Sequence, residues 1–136
     1  MKNCFAFLDS RRLTSQPIQQ LVIRDYAKSV DLNINFVGAE IQGNEHSHRL
    51  FCSYIRQRKS ERFIFFTIYQ FMGDRRLFDI EIIREALFAG IELYFATEKI
   101  SLKGHEDLEK SMIELLVSEM HQFIGIEKVR SGIVDF

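Results

Sequence analysis

The run Arg62-Phe63-Ile64-Phe65-Phe66-Thr67-Ile68-Tyr69-Gln70-Phe71 decides the fold. It is apolar at both alternating sets of positions. Such a run predicts a central strand of a parallel sheet, covered on both sides. Met72-Gly73-Asp74 breaks it. Downstream, Leu77, Ile80, Ile83, Ala86 and Leu87 form a helical stripe, with Gly90 at the position that ends a helix. Ile91–Ala96 then predicts a fourth strand, closed by Thr97-Glu98-Lys99. A long last helix is expected over about 105–124, followed by a tail, 125–136, whose Ile133-Val134 suits a short strand or an edge cover.

The same alternation holds upstream. Cys4–Leu8 is a short apolar run that stops at Asp9-Ser10-Arg11-Arg12. Pro17 suits a first helical turn, with Ser15 or Gln16 as cap. Ile18, Leu21, Val22 and Tyr26 predict its buried face, with Arg24 and Lys28 outward. Asn33–Ala39 reads as a strand ending at Glu40, and 41–47 as a polar loop. Leu50, Phe51, Tyr54 and Ile55 mark a second helix with a basic end, Arg56–Lys59. The order βαβαβαβα predicts a single α/β domain over 1–136: a three-layer sandwich with a mainly parallel, four- or five-stranded sheet. The aromatic load has a place in it. Thirteen phenylalanines and no tryptophan fall mostly on the strands and covering helices, as a doubly covered sheet requires.

Ligands of open α/β sheets bind beyond the carboxyl ends of the strands. That rule selects Asp9, Ser10, Arg11 and Arg12, then Glu40 and Gln42, then Tyr69, Gln70 and Asp74, then Thr97, Glu98 and Lys99. A hydroxyl beside two guanidinium groups suits an anion, because arginine grips carboxylate or phosphate with paired hydrogen bonds. The plainer alternative is a solvated loop in which Asp9 or Ser10 caps backbone. Glu40 and Glu98 are candidate acid–base groups; Asp74 suits a helix N-cap. His46 and His48 lack a third ligand nearby in sequence, so no metal site is expected. No glycine-rich phosphate loop or nucleophile elbow is present, and no cofactor is expected.

Composition narrows the partners. The chain carries 46% hydrophobic and 27% charged residues at a net charge of −1. That content excludes disorder, and the charge argues against non-specific nucleic-acid binding, which rests on many phosphate contacts. No apolar stretch approaches the roughly 18 residues of a membrane span. Cys4 and Cys52 form no C-x-x-C pair, so reduced thiols and a cytoplasmic location are expected. In the last helix, Leu108, Met112, Leu115 and Met120, widened by Ile113, Leu116, Val117 and Phe123, give a stripe suited either to deep burial or to homo-oligomer formation.

Two family resemblances follow from these residues. The stretch Arg62–Ile100, with Leu87-Phe88-Ala89-Gly90-Ile91 and Thr97-Glu98, resembles the catalytic domain of serine recombinases (resolvases). This implies a resolvase-like, flavodoxin-like fold and sets Ser10 where that family carries its nucleophile. The family's arginine two residues earlier is Leu8 here, and its Asp-Arg pair is Tyr69-Gln70, with Arg75 and Arg76 out of register. Those losses count against strand exchange, and no DNA-binding appendage is expected.

The second resemblance rests on Gln20–Tyr26, Ile68–Phe71 and Leu93–Leu102, together with Ser10-Arg11. In these the chain is similar to sporadic carbohydrate cluster proteins, which implies surface-polysaccharide (O-antigen or capsule) sugar biosynthesis. The expected ligand is then a small anionic sugar or sugar nucleotide. Ser10, Glu40 and Glu98 would be catalytic, and Asp9, Arg11, Arg12, Tyr69, Gln70 and Thr97 would bind substrate. Nucleic acid and membrane are not expected partners. A non-catalytic oligomeric subunit of a biosynthetic enzyme is the alternative, and a degenerate recombinase-like DNA-binding protein the third reading.

Overall fold

The computed structural model describes residues 1–10, 13–40, 48–71, 79–104 and 106–111. Met1–His105 forms one compact unit and Glu106–Phe136 another. Within the first unit the order is β1 (Lys2–Asp9), α1 (Gln16–Ser29), β2 (Leu32–Glu40), α2 (Arg49–Arg56), β3 (Arg62–Phe65), a 3-10 turn (Ile68–Phe71), α3 (Ile80–Phe88), β4 (Glu92–Phe95) and β5 (Ile100–Leu102). The sheet is five-stranded in the order β2-β1-β3-β4-β5. Its first four strands run parallel, and β5 pairs antiparallel with β4. In the second unit, residues 106–111 are helical. The rest of the expected last helix, its apolar stripe beyond Leu108, and Ile133-Val134 lie outside the described residues. Among the described residues, no helix is long and apolar enough to cross a membrane.

Side chains alternate along β1, and each set meets its own layer. Cys4, Ala6 and Leu8 join Ile64, Tyr94 and Ala96 under Ile23, Tyr26 and Ala27 of α1. Phe5 and Phe7 point the other way. Phe7 stacks on Phe63 and Phe65 and meets the rings of Phe51 and Tyr54 on α2. A register shift between Cys4 and Phe5 gives β2 one extra residue, Asn35. A one-residue insertion reverses which side chains face which layer. Ile34 therefore packs toward α1, while Phe36 meets Phe5 at 4.8 Å and Tyr54 at 5.5 Å. Opposite Phe7 sits Gly38, where an added Cβ would come within 3.2 Å of the Phe7 ring. The aromatic layer fits because that position carries no side chain.

Three expectations need correction. The third strand ends at Phe65, and Ile68–Phe71 turns as a 3-10 helix. An unbroken apolar run does not distinguish strand from buried turn, since Ile68 and Phe71 are buried either way. The buried face of α1 is Gln19, Ile23, Tyr26 and Ala27, leaving Ile18 and Leu21 exposed. A polar residue takes the first core position there because it bonds the strand end below. The N-cap observed for α3 is Asp79, and Asp74 lies outside the described residues. Ser15 occupies the N-cap position of α1, without a side-chain capping bond, with Pro17 in the first turn, and Gly90 follows α3 at φ 82°, at the positions expected.

Two outcomes test this packing. Phe7 is fully buried, so Phe7→Ala should cost about 3–5 kcal/mol in urea denaturation. Burial pushes the Cys4 thiol from its ordinary 9.0 up to about 11, with Arg62 opposing. Tyr94 is also raised, by burial and by the hydrogen bond it donates to Glu92 at 2.6 Å. Both groups stay protonated in the fold at a pH where the unfolded chain has released its protons. Stability is therefore complete below pH 9.0 and falls as pH rises toward 11. The urea midpoint should drop across that range, and the double substitution Cys4→Ala, Tyr94→Phe should flatten the decline.

Candidate functional site

Parallel strands bring their carboxyl ends to one edge, and the chain reverses direction across the sheet between β1 and β3. This is the switch point at which α/β sheets open a crevice. Asp9 pairs with Glu40 at the end of β1 and β2. Thr67–Phe71 follows β3, and Thr97-Glu98 follows β4. The expected site residues thus share one edge wherever the structure describes them. Arg11, Arg12, Gln42 and the Glu40 side chain lie outside the described residues.

Ser10 is exposed directly beyond β1, while Asp9 before it is buried. Pairing of β1 with β3 stops at Phe7–Phe65, two residues short of the end of β1. Side-chain amides occupy the opening. The Gln70 amide nitrogen donates to the Phe7 carbonyl at 3.3 Å, and its oxygen accepts from the Thr67 N–H at 3.0 Å. Gln19, reaching down from α1, accepts from the Asp9 N–H at 2.9 Å and donates to the Asp9 and Thr14 carbonyls, each at 2.9 Å. Both glutamines are almost completely buried. Gln19 escaped the sequence reading because helical periodicity assigns apolar residues, not amides, to a core face. The legible signal was its place one turn past a loop of polar residues.

Glu98 ties β4 to the turn after β3. One carboxylate oxygen accepts from the Thr67 hydroxyl at 2.6 Å and the other from the Ile68 N–H at 2.7 Å. A carboxylate at this point satisfies backbone donors that have left the ladder. Thr97 donates its hydroxyl to the Phe66 carbonyl at 2.7 Å, beside the backbone bond from Thr97 N–H to the same oxygen. Tyr69 is half-buried in the 3-10 turn. His48 is buried at the start of α2 in a left-handed conformation, its ring stacked on Phe71 at 4.2 Å. His46 lies outside the described residues. The edge is thus a floor of amide, hydroxyl and carboxylate groups bonded to backbone, with an exposed serine at its rim.

No family model matches the chain, and no curated protein sequence does. Solved structures do. The N-terminal catalytic domain of TP901-1 integrase superposes with a TM-score of 0.57 at 12% identity, covering 90% of this chain and 98% of that one. A resolvase family site-specific recombinase from Streptococcus pneumoniae gives 0.55 at 14% identity, covering 98% and 97%. The chain has the fold of a recombinase catalytic domain. The α/β class and the resolvase-like architecture stand as expected.

The expectations built on the carbohydrate cluster resemblance do not stand. Both neighbours are recombination proteins by name, and nothing in either comparison concerns a sugar. Sugar biosynthesis, a sugar or sugar-nucleotide ligand, a biosynthetic enzyme partner and the exclusion of nucleic acid are all corrected on that finding.

The engagement of Glu98 has a measurable consequence. Glu98→Ala leaves the Thr67 hydroxyl and the Ile68 N–H without their acceptor. The loss should be about 1.5–3 kcal/mol in urea denaturation, as for hydrogen bonds to charged groups.

Proposed function

We propose that this chain is a recombinase-like domain that binds duplex DNA at the carboxyl edge of its sheet without exchanging strands. The observation that carries the reading is the exposed Ser10, directly beyond β1, an interior strand of a sheet with a recombinase-like fold. Ser10 meets a phosphate oxygen in this reading, and Arg11 and Arg12 supply the paired donors that phosphate favours. The Asp9 and Glu40 backbones, with Thr97 and Tyr69, frame that rim. Glu98, Gln70 and Thr67 hold it from below.

Two positions argue for binding without chemistry. Serine attack on a phosphodiester needs cationic donors around the phosphate as negative charge builds in the transition state. Leu8 is apolar and buried, where the resemblance to serine recombinases expects an arginine. Gln70 is uncharged, and its amide nitrogen is bonded to the Phe7 carbonyl. A net charge of −1, from 18 Lys and Arg against 19 Asp and Glu, further predicts that the contact is local, since the cations are offset by as many anions.

An electrophoretic mobility shift with duplex DNA tests the reading. A complex should form at about 50 mM salt and weaken steeply by about 200 mM. Arg11→Ala with Arg12→Ala should lower affinity at every sequence and reduce the salt slope by about 2, one per phosphate contact. Ser10→Ala should bind about tenfold more weakly than the parent, as for loss of one hydrogen bond to phosphate, and denaturing gels of the parent should show no covalent protein–DNA adduct. Absence of any complex at low salt overturns the proposal.

A further inference from the structure

A parallel ladder normally continues to the end of both strands, and here it does not. Phe7 and Asp9 lie two residues apart on β1, so their peptide groups face the same side of the strand. That side belongs to β3 as far as Phe65. Beyond Phe65 the neighbouring chain turns away into the 3-10 helix, and three backbone groups of β1 lose their strand partners. These are the Phe7 carbonyl, the Asp9 N–H and the Asp9 carbonyl. Buried backbone groups must be paired, so something has to replace the strand.

A glutamine side chain ends in a carboxamide, which has the same donor and acceptor as a peptide unit. Gln70 meets the Phe7 carbonyl. Gln19 meets both Asp9 groups at 2.9 Å. Each amide also bonds a second segment: Gln70 accepts from the Thr67 N–H, and Gln19 donates to the Thr14 carbonyl. Asp9 and Thr14 lie on either side of Ser10 in sequence, and one buried side chain bonds both.

We infer that Gln19 and Gln70 act together as a surrogate strand that sets the position of Ser10. They are positioning residues: neither faces the rim, and both act through the β1 backbone. The inference rests on the proposed DNA-binding role only for its consequence, since Gln19 and Gln70 make these bonds in the absence of DNA. An apolar residue of similar length fills the space but leaves the backbone groups unpaired. A carboxylate keeps the acceptor and loses the donors.

Amide hydrogen exchange by NMR on the isotope-labelled full chain tests this directly. In Gln19→Met, the Asp9 and Ser10 amides should exchange about tenfold faster or more, while Ile64 and Leu93 in the sheet interior keep the parent rates. In Gln70→Met, the Thr67 amide should show the same local increase. Gln19→Glu should restore protection at the Asp9 N–H, because its acceptor is retained, and it remains informative if the methionine variant fails to fold. Unchanged exchange at Asp9 and Ser10, or an equal increase throughout the sheet, overturns the inference. Duplex binding is then measured on the same samples, and Gln19→Met should bind about tenfold more weakly than the parent. If the parent chain binds no DNA while the local exchange pattern holds, the surrogate strand stands and the DNA-binding role falls.

Discussion

The hydrogen-bonded ladder between β1 and β3 ends at Phe7 and Phe65, and the character of the functional edge follows from that ending. Up to this pair, β1 is an interior strand with its peptide groups paired on both sides and its side chains buried on both faces. Past it, β1 continues for two residues beside β2 alone. The orphaned backbone groups cannot face an apolar interior unpaired. Polar side chains are therefore drawn into the opening from α1 and from the turn after β3. The carboxyl edge of this α/β sheet carries groups already bonded to backbone, and Ser10 is exposed directly beyond β1.

The aromatic layer under α2 supplies the rigidity that this edge relies on. Phe7 joins rings from two strands and one helix, and the same residue offers the carbonyl that Gln70 binds. Close packing leaves little room for β1 to slide. The bulge at Asn35 and the bare position at Gly38 serve the same layer, one by turning Phe36 inward and the other by admitting the Phe7 ring. Core and site are thus coupled through one residue, which is how packing far from solvent holds a surface hydroxyl in place.

Fold and chemistry part company at the site. The fold is that of a recombinase catalytic domain, while Leu8 is apolar and Gln70 neutral at positions where the sequence resemblance to serine recombinases leads one to expect arginines. A fold hosts chemistry only through the groups placed on it. The result is a recombinase-like architecture whose edge carries, at Leu8 and Gln70, no charge for serine attack on a phosphodiester.

The sequence by itself determined the alternation of strands and helices, and with it the α/β class and the edge on which the site residues gather. Hydrophobic periodicity carries that information locally, as in Arg62–Phe65, Ile23–Ala27 and the Gly90 stop. Ser10 was legible because a polar residue directly after a buried strand has only one edge to occupy. Other features were decided by tertiary structure alone. The turn at Ile68–Phe71, the short antiparallel β5 and the burial of Gln19 depend on which backbone groups a neighbouring strand leaves unpaired. That depends on contacts between residues distant in sequence, such as Gln70 with Phe7 and Glu98 with Thr67. A pattern of apolar and polar letters records which side chains avoid water. It does not record where a ladder ends, and here the ending of a ladder shapes the site.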